Sequence, residues 1–214
     1  WQELIDPSLA VAWRFQMTTG AVMAKGVEDC AFYRTSRLSS LTEVGGDPSE
    51  WSVSVEEFHE AMATRQRERP LGMTTTSTHD TKRGEDVRAR IAVLAELPDL
   101  WTAALDRLLT LAPLRDRSFG NLLWQAVLGA WPASSERLHA YADKAMREAG
   151  DRTTWTEPDA TYESVVHAAV DAAYDDPAVT AVLDELLVHV AGPGWSNSLS
   201  AKLVALTMPG VPDV

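Results

Sequence analysis

The sequence predicts an α/β fold in which helices predominate, and two features carry this prediction. Apolar residues recur at helical spacing over almost the whole stretch from Glu85 to Leu206. Ahead of that stretch, residues 73–77 (MTTTS) form a β-branched run that is too short for a helix and predicts a strand of a sheet or barrel. With 214 residues, 45% of them hydrophobic, the chain can bury a sizeable core. We therefore expect a soluble globular protein.

The N-terminal part is expected to contain two helices, a short strand and a loop. Asp6-Pro7 places a capping residue before a proline at the first helical position, which predicts a helix. The apolar run 21–24 (AVMA) predicts a buried strand, so that Lys25 would lie at a strand end. Glycine, proline and serine at 45–49 indicate a loop, after which residues 55–66 are predicted to be helical.

The stretch that follows the strand at residues 73–77 is expected to be a helical subdomain. A helix is predicted after Gly84, where apolar residues repeat at helical spacing. Asp176 caps a further helix, which should stop at Gly192. The helices are expected to break at Pro98, Pro113, Gly120, Pro132, Gly150, Pro158, Pro177 and Gly192-Pro193.

These patterns divide the chain into three expected segments. Residues 1–84 contain the loops and the strand that ends at His79-Asp80. Residues 85–195 form the helical subdomain. Residues 196–214 form a return helix that runs into Pro209 to Asp213, which we interpret as a turn or the approach to another strand.

Composition and charge exclude several classes of function. Nineteen Lys plus Arg against 31 Asp plus Glu give a net charge of -12, which would repel a phosphate backbone, so we expect no nucleic acid partner. The apolar runs are far shorter than the roughly 18 residues of a membrane span, so we expect no membrane either. Zinc-ligand spacings and phosphate-binding glycine loops are missing, so we expect no metal and no cofactor. A single cysteine, Cys30, suits a reducing cytoplasm.

Residues with potential chemistry concentrate in 76–86 (TSTHDTKRGED), directly after the predicted strand. In an eight-stranded α/β barrel, active-site residues project from such strand ends, which makes His79 and Asp80 candidates for catalysis. A structural explanation competes with this one: Asp80 caps the next helix, while Lys82 and Arg83 are solvated. Spacing alone does not decide between the two.

Seven segments along the chain form an ordered set: 23–29 (MAKGVED), 31–34 (AFYR), 43–48 (EVGGDP), 76–90 (TSTHDTKRGEDVRAR), 128–132 (LGAWP), 197–200 (NSLS) and 209–213 (PGVPD). Together they resemble the maltooligosyltrehalose synthases of the alpha-amylase family of glycoside hydrolases. A His-Asp pair after a strand occurs across the alpha-amylase family, whereas the ordered set is specific to the maltooligosyltrehalose synthases. Cys30 departs from the threonine that the resemblance leads us to expect.

The resemblance implies part of a (β/α)8 barrel that carries a large, mostly α-helical insertion. It also implies an isomerase that turns the reducing-end α-1,4 linkage of a maltooligosaccharide into the α,α-1,1 linkage of trehalose by intramolecular transglucosylation. Retention of the anomeric configuration calls for a carboxylate nucleophile and a second carboxyl group that acts as acid and then base. Asp80 matches the family's third carboxylate, the stabiliser of the transition state, and His79 is implied as its neighbouring hydroxyl ligand.

The family's nucleophile and acid/base are matched by no segment, and we expect them upstream of Trp1. The resemblance therefore implies an internal fragment. The sequence begins with neither an initiator Met nor a secretory signal, which favours the same interpretation. Alone, the fragment is expected to be inactive, with the remainder of the parent polypeptide as its partner.

The resemblance also suggests residues that bind the maltooligosaccharide substrate. Lys25 is the first, toward the reducing end, and an ion pair with Glu28 or Asp29 explains it equally well. Further candidates, in loops that border the family's cleft, are Glu43, Asp47, Lys82 and Arg83. Arg83 is equally well explained as a salt-bridge partner that orients Asp80.

Two other functions stay open at this point. A related amylase-type hydrolase or branching transferase would share the strand-end His-Asp pair, but it should lack the segments around Lys25 and Asn197. The other possibility is a non-catalytic helical interaction module.

Overall fold

The computed structural model describes residues 2–213, and these residues are mostly helical, as predicted. The α-helices are α1 (Gln2–Ile5), α2 (Ala10–Val22), α3 (Phe32–Arg34), α4 (Val55–Glu68), α5 (Glu85–Ala92), α6 (Pro98–Leu111), α7 (Arg117–Ala130), α8 (Ser135–Ala149), α9 (Ala160–Asp175) and α10 (Pro177–Thr207). A π-helical segment, Met23–Ala31, follows α2 directly, and Ser39–Leu41 and Val93–Glu96 form 3-10 turns. The two strands are β1 (Met73–Thr75) and β2 (Val211–Asp213).

Side-chain caps explain where many of these helices begin. At the start of α4, Glu57 N–H donates to Ser54 Oγ at 3.1 Å, and the Glu57 carboxylate accepts from Ser54 N–H at 2.7 Å. This reciprocal pair satisfies two backbone donors that the first turn leaves free. Single caps serve the helices α7 to α10 through Asp116, Ser134, Asp159 and Asp176.

The structure corrects two predictions for the N-terminal part. Asp6 does not cap a helix at Pro7; its carboxylate accepts from the N–H and hydroxyl of Ser8, and α2 begins only at Ala10. The strand predicted at 21–24 is wrong, because these residues end α2 and begin the π-helical segment Met23–Ala31. Short apolar runs do not distinguish strand from helix by periodicity, and here the run continues the preceding helix.

The core lies among helices α5 to α10, with α7 at its centre. Ten residues of α7, from Phe119 to Gly129, are buried, so this helix is covered on all sides. Gly120, predicted to break a helix, lies inside α7, where a Cβ would come 2.7 Å from Leu109 Cδ2. The glycine lets Leu109 of α6 pack closely on α7, and it does not end the helix.

Helix α10 is a single helix of 31 residues, so the stop predicted at Gly192-Pro193 is wrong. At Gly194 a Cβ would lie 3.0 Å from the Arg90 Cα, which shows how closely α10 crosses α5. This packing offsets the roughly 3 kcal/mol that a proline costs inside a helix. None of the described helices is both long and apolar enough to cross a membrane.

The two strands are parallel neighbours, and β2 follows directly after the turn at Pro209-Gly210. Their register pairs Met73 with Val211 and Thr75 with Asp213, so both carboxyl ends lie at the same edge. Arg65 of α4 fixes the two strand starts, because its guanidinium donates to the carbonyls of Pro209 at 2.7 Å and Gly72 at 3.2 Å.

A partly buried ion pair joins α8 to α9. The Arg147 guanidinium donates to both carboxylate oxygens of Glu163, at 2.9 and 2.7 Å, and Thr153 Oγ1 donates to the same carboxylate at 2.6 Å. The hydrogen bonds with Arg147, assisted by Thr153, lower the pKa of Glu163 to about 2, although burial opposes them. The ionised carboxylate therefore stabilises the folded chain.

Glu163→Gln should lower the free energy of unfolding near neutral pH by about 2 kcal/mol, since it leaves Arg147 with only the more distant carboxylate of Asp143, at 3.7 Å. Because folding lowers this pKa, the stabilisation is complete above the ordinary value of 4.5 and is lost as the pH falls toward 2. Urea unfolding near pH 6 and near pH 3 checks this: the gap between wild type and variant should narrow at the lower pH. An equal gap at both would contradict the assignment.

Candidate active site

The segment 76–84 connects β1 to α5 and presents the side chains of His79 and Asp80 outward. Thr81 Oγ1 donates to the Thr78 carbonyl at 2.8 Å, and Asp80 N–H donates to Thr78 Oγ1 at 3.2 Å, which forms a tight turn. On this turn the side chains of His79 and Asp80 are 90% and 74% exposed, with 3.3 Å between Nε2 and Oδ2. An exposed carboxylate thus lies just beyond the carboxyl end of β1, where α/β folds place their sites.

The alternative that Asp80 caps the next helix is wrong. Helix α5 has Gly84 at its N-cap position, with no side-chain hydrogen bond there. Its first turn is tied instead to the end of the strand, because the Ser77 hydroxyl donates to the Glu85 carboxylate. The hydrogen bonds with Ser77, its own N–H and Lys202 lower the pKa of Glu85 to about 2. Asp80 is therefore free of a helix-capping duty.

Glu43, a candidate for binding substrate, lies beneath residues 76–84, which we call the Asp80 segment. It is only 7% exposed. One carboxylate oxygen accepts from Lys82 N–H at 2.7 Å and Val44 N–H at 2.9 Å, and the other accepts from Arg83 N–H at 3.2 Å. Its geometry favours a structural role over contact with a sugar.

Arg83, a second candidate, is also buried and bonds to groups other than Asp80. Its guanidinium donates to the Ser39 carbonyl at 3.1 Å and to the Tyr141 hydroxyl at 2.9 Å. It also lies within 3.5 Å of the Thr42 carbonyl. The guanidinium thus joins the 39–42 turn to α8, and it forms no ion pair with Asp80.

Lys25 lies in the π-helical segment, not at a strand end, and it forms the ion pair with Asp29 that the sequence allowed. Its Nζ is 2.5 Å from Asp29 Oδ2, while the side chain stays 71% exposed. The hydrogen bond and the charge of Asp29 raise the pKa of Lys25, and the charge of Asp80 contributes in the same direction. The ammonium group thus lies within electrostatic reach of the Asp80 carboxylate.

Lys82 binds the same aspartate from the other side. Its Nζ is 2.5 Å from Asp29 Oδ1, and its side chain is only 5% exposed. Burial raises the pKa of Asp29, but the hydrogen bonds with Lys25 and Lys82 outweigh burial and hold the pKa below its ordinary value. Sequence reasoning offered Asp29 only as a partner of Lys25; no sequence signal indicated that it also binds Lys82, 53 residues away.

Asp47, the remaining candidate, is exposed in the loop before α4. Its carboxylate accepts from the N–H of Ser49 at 2.8 Å and from the hydroxyl of Ser49 at 2.7 Å, and these bonds lower its pKa. The carboxylate is ionised and accessible, but the structure does not bring it to Asp80. Within residues 2–213, no cluster of His, Cys, Asp or Glu has a geometry that could hold a metal ion.

A cavity of about 380 Å³ lies beside the Asp80 segment, between it and helices α7 and α8. Thr78, Thr81 and Tyr141 are among its lining residues, whereas His79 and Asp80 are not. The exposed pair therefore lies outside this cavity.

Two parallel strands and a long helical segment define part of an α/β protein, and an exposed carboxylate lies beyond the carboxyl end of β1. Comparison with known proteins makes the class specific. The solved maltooligosyltrehalose synthase of Arthrobacter ramosus is 50% identical, with a TM-score of 0.95 over 100% of this chain and 28% of that one. The solved Sulfolobus tokodaii protein, named a hypothetical maltooligosyl trehalose synthase, is 32% identical, with a TM-score of 0.88 over 95% and 29%.

Curated relatives agree with the solved structures. Proteins of Mycobacterium tuberculosis strains CDC 1551 and H37Rv, named as maltooligosyl trehalose synthases, are 50% identical over 210 residues. These residues are 95% of this chain and 27% of the relatives, so the chain spans about a quarter of their length. No family model matches the sequence. The resemblance to maltooligosyltrehalose synthases is confirmed, as is the mostly helical fold expected of an insertion in an amylase-type barrel.

Proposed function

We propose that the chain supplies the Asp80 segment of a (1→4)-alpha-D-glucan 1-alpha-D-glucosylmutase, a maltooligosyltrehalose synthase. The observation that carries the proposal is the exposed Asp80 carboxylate beside His79 at the carboxyl end of β1. The names of the relatives support the same activity. The enzyme is an isomerase, because the reducing-end glucose is transferred within one maltooligosaccharide and no bond is hydrolysed.

Asp80 stabilises the transition state in this proposal. Cleavage of the α-1,4 bond leaves positive charge on the anomeric carbon and ring oxygen, and a nearby carboxylate lowers the energy of that charge. The carboxylate also accepts hydrogen bonds from sugar hydroxyls, and His79 binds a neighbouring hydroxyl in this proposal. The nucleophile and the acid/base come from the remainder of the parent polypeptide, so the chain alone is inactive.

Two exposed side chains are proposed to bind the maltooligosaccharide. Lys25 combines an accessible ammonium group with a fixed position against Asp29, which suits a donor to hydroxyls at the reducing end. Asp47 offers an ionised acceptor at the loop before α4. Glu43 is too deeply buried for direct contact. Lys82 and Arg83 are also almost fully buried, and they border the cavity beside the segment rather than the exposed Asp80 side chain.

The remainder of the polypeptide is proposed to cover the exposed apolar surface of the second half of α10 and the strands. Trp195, Leu199 and Leu203 recur every four residues along one exposed face of α10. Met73 of β1 and Val211 of β2 are also exposed. Parallel strands are buried in known folds, so a two-stranded parallel sheet needs further strands and helices around it.

A reducing cytoplasm fits the lone, partly exposed Cys30.

The proposal is tested by incubating the full-length protein, and separately this chain, with maltopentaose. The full-length protein should remove reducing ends without an equal release of glucose, and the chain alone should leave their concentration unchanged. Stoichiometric glucose would identify a hydrolase instead. No reaction of the full-length protein would support a non-catalytic module, and turnover by the chain alone would show that it contains the complete catalytic set.

A further inference from the structure

Two buried carboxylates hold Lys82, one through its backbone and the other through its side chain. Its backbone N–H donates to Glu43, and its Nζ binds Asp29. Lys82 lies only two residues after Asp80 in the chain. We propose that Asp29 and Glu43 are positioning residues, which fix the Asp80 carboxylate without touching substrate. The inference rests on the proposed function, since it assumes that Asp80 acts on the substrate.

Glu43 fixes the backbone of the segment. It accepts from two successive N–H groups, those of Lys82 and Arg83, and from Val44 beside it. Hydrogen bonds to an ionised carboxylate are about twice as strong as neutral ones, and burial protects these from water. The backbone immediately after Asp80 is therefore tied to the 39–44 turn.

The other side of the segment is fixed independently. The Ser77 hydroxyl donates to the Glu85 carboxylate, and Arg88 donates to the Thr76 carbonyl. Asp80 thus lies on a short exposed turn between two anchored points, one at Thr76-Ser77 and one at Lys82-Arg83. Loss of either anchor gives the turn freedom that the intact segment lacks.

Asp29 connects this segment to Lys25. It neutralises the buried Lys82 ammonium group and, through its second oxygen, holds the exposed Lys25. Because one carboxylate faces two ammonium groups, this cluster keeps a net positive charge. The negative charge of Asp80 contributes to the raised pKa of Lys25. Asp29 therefore sets the position of Lys25 relative to Asp80 as well as the position of the segment.

Glu43→Gln in the full-length protein tests the backbone anchor. A misplacement of about 1 Å costs about 10²-fold in rate, so the kcat for maltopentaose should fall by about 10- to 100-fold. KM should change little, because Glu43 does not contact the sugar. Glu28→Gln is the matched control: Glu28 accepts from Gly45 N–H at 3.3 Å, bonds nothing in the Asp80 segment, and should keep normal kcat.

Asp29→Asn tests the side-chain anchor, and it should lower both kcat and Tm because Lys82 is left buried and unpaired. A second variant, Asp29→Asn with Lys82→Met, removes that charge. A purely structural role predicts that both Tm and kcat recover in this variant. The positioning role predicts that Tm recovers while kcat stays low.

Asp80→Asn, measured beside these variants, separates the two proposals. If it turns over normally, the proposed function is wrong. If it is slow while Glu43→Gln keeps wild-type kcat, or while the double variant recovers full kcat, only the positioning proposal is overturned. The positioning proposal is supported if Glu43→Gln has a low kcat with an unchanged KM. It is also supported if the double variant recovers its Tm but keeps a low kcat.

Discussion

Asp80→Asn in the full-length protein should lower the turnover of maltopentaose by about 10³-fold and leave the fold intact. The amide has almost the shape of the carboxylate but lacks the charge that stabilises the positively charged transition state. The side chain is exposed and caps no helix, so the stability of the protein should hardly change. Initial rates of reducing-end loss give kcat, and a thermal unfolding curve gives Tm.

Asp6→Asn is a suitable control for this experiment. Asp6 is also an exposed aspartate, and its carboxylate holds a turn through Ser8, far along the chain from Asp80. The control should keep wild-type turnover. Near-normal turnover of Asp80→Asn would remove Asp80 from the catalytic set, whereas a large fall in Tm would show that the residue is structural.

Helix positions were largely predictable because their signals are local. Asp176 before Pro177 marks the start of α10, and the β-branched run marks β1. The end of α10 was not predictable, since Gly192-Pro193 is a valid stop signal that packing overrides. Likewise, the apolar run 21–24 has too few residues to reveal its period. Only its continuity with α2 shows that it is helical and not a strand.

The candidate site was predictable only in part, for a similar reason. The resemblance and the strand-end rule both pointed to His79 and Asp80, whose exposure needs no distant partner. Glu43, Lys82 and Arg83 are substrate-binding candidates in the sequence because they lie in segments that match loops bordering the family's cleft. Their burial depends on contacts across about 40 residues, and no local pattern records such contacts.

Arg83→Met should lower the free energy of unfolding by about 3 kcal/mol, the second large effect that we expect. The substitution removes charge-assisted hydrogen bonds to the Ser39 carbonyl and to the partly buried Tyr141 hydroxyl, each worth about 1.5 kcal/mol or more. The Ser39 carbonyl keeps its bonds from Thr42. Arg83→Lys should recover little of the loss, because one ammonium group cannot reproduce the two-sided guanidinium fork. Urea unfolding measures both variants.

Arg107→Met provides the matched control for Arg83→Met. Arg107 also pairs through its guanidinium, at 2.8 Å from the Glu185 carboxylate, but both side chains are half-exposed. An exposed pair contributes only about 0.2–1 kcal/mol, so this variant should unfold almost like the wild type. If Arg83→Met proved equally mild, the interaction of Arg83 with the 39–42 turn and Tyr141 would contribute little. Burial of the unbonded Arg83 Nε would then offset the other hydrogen bonds.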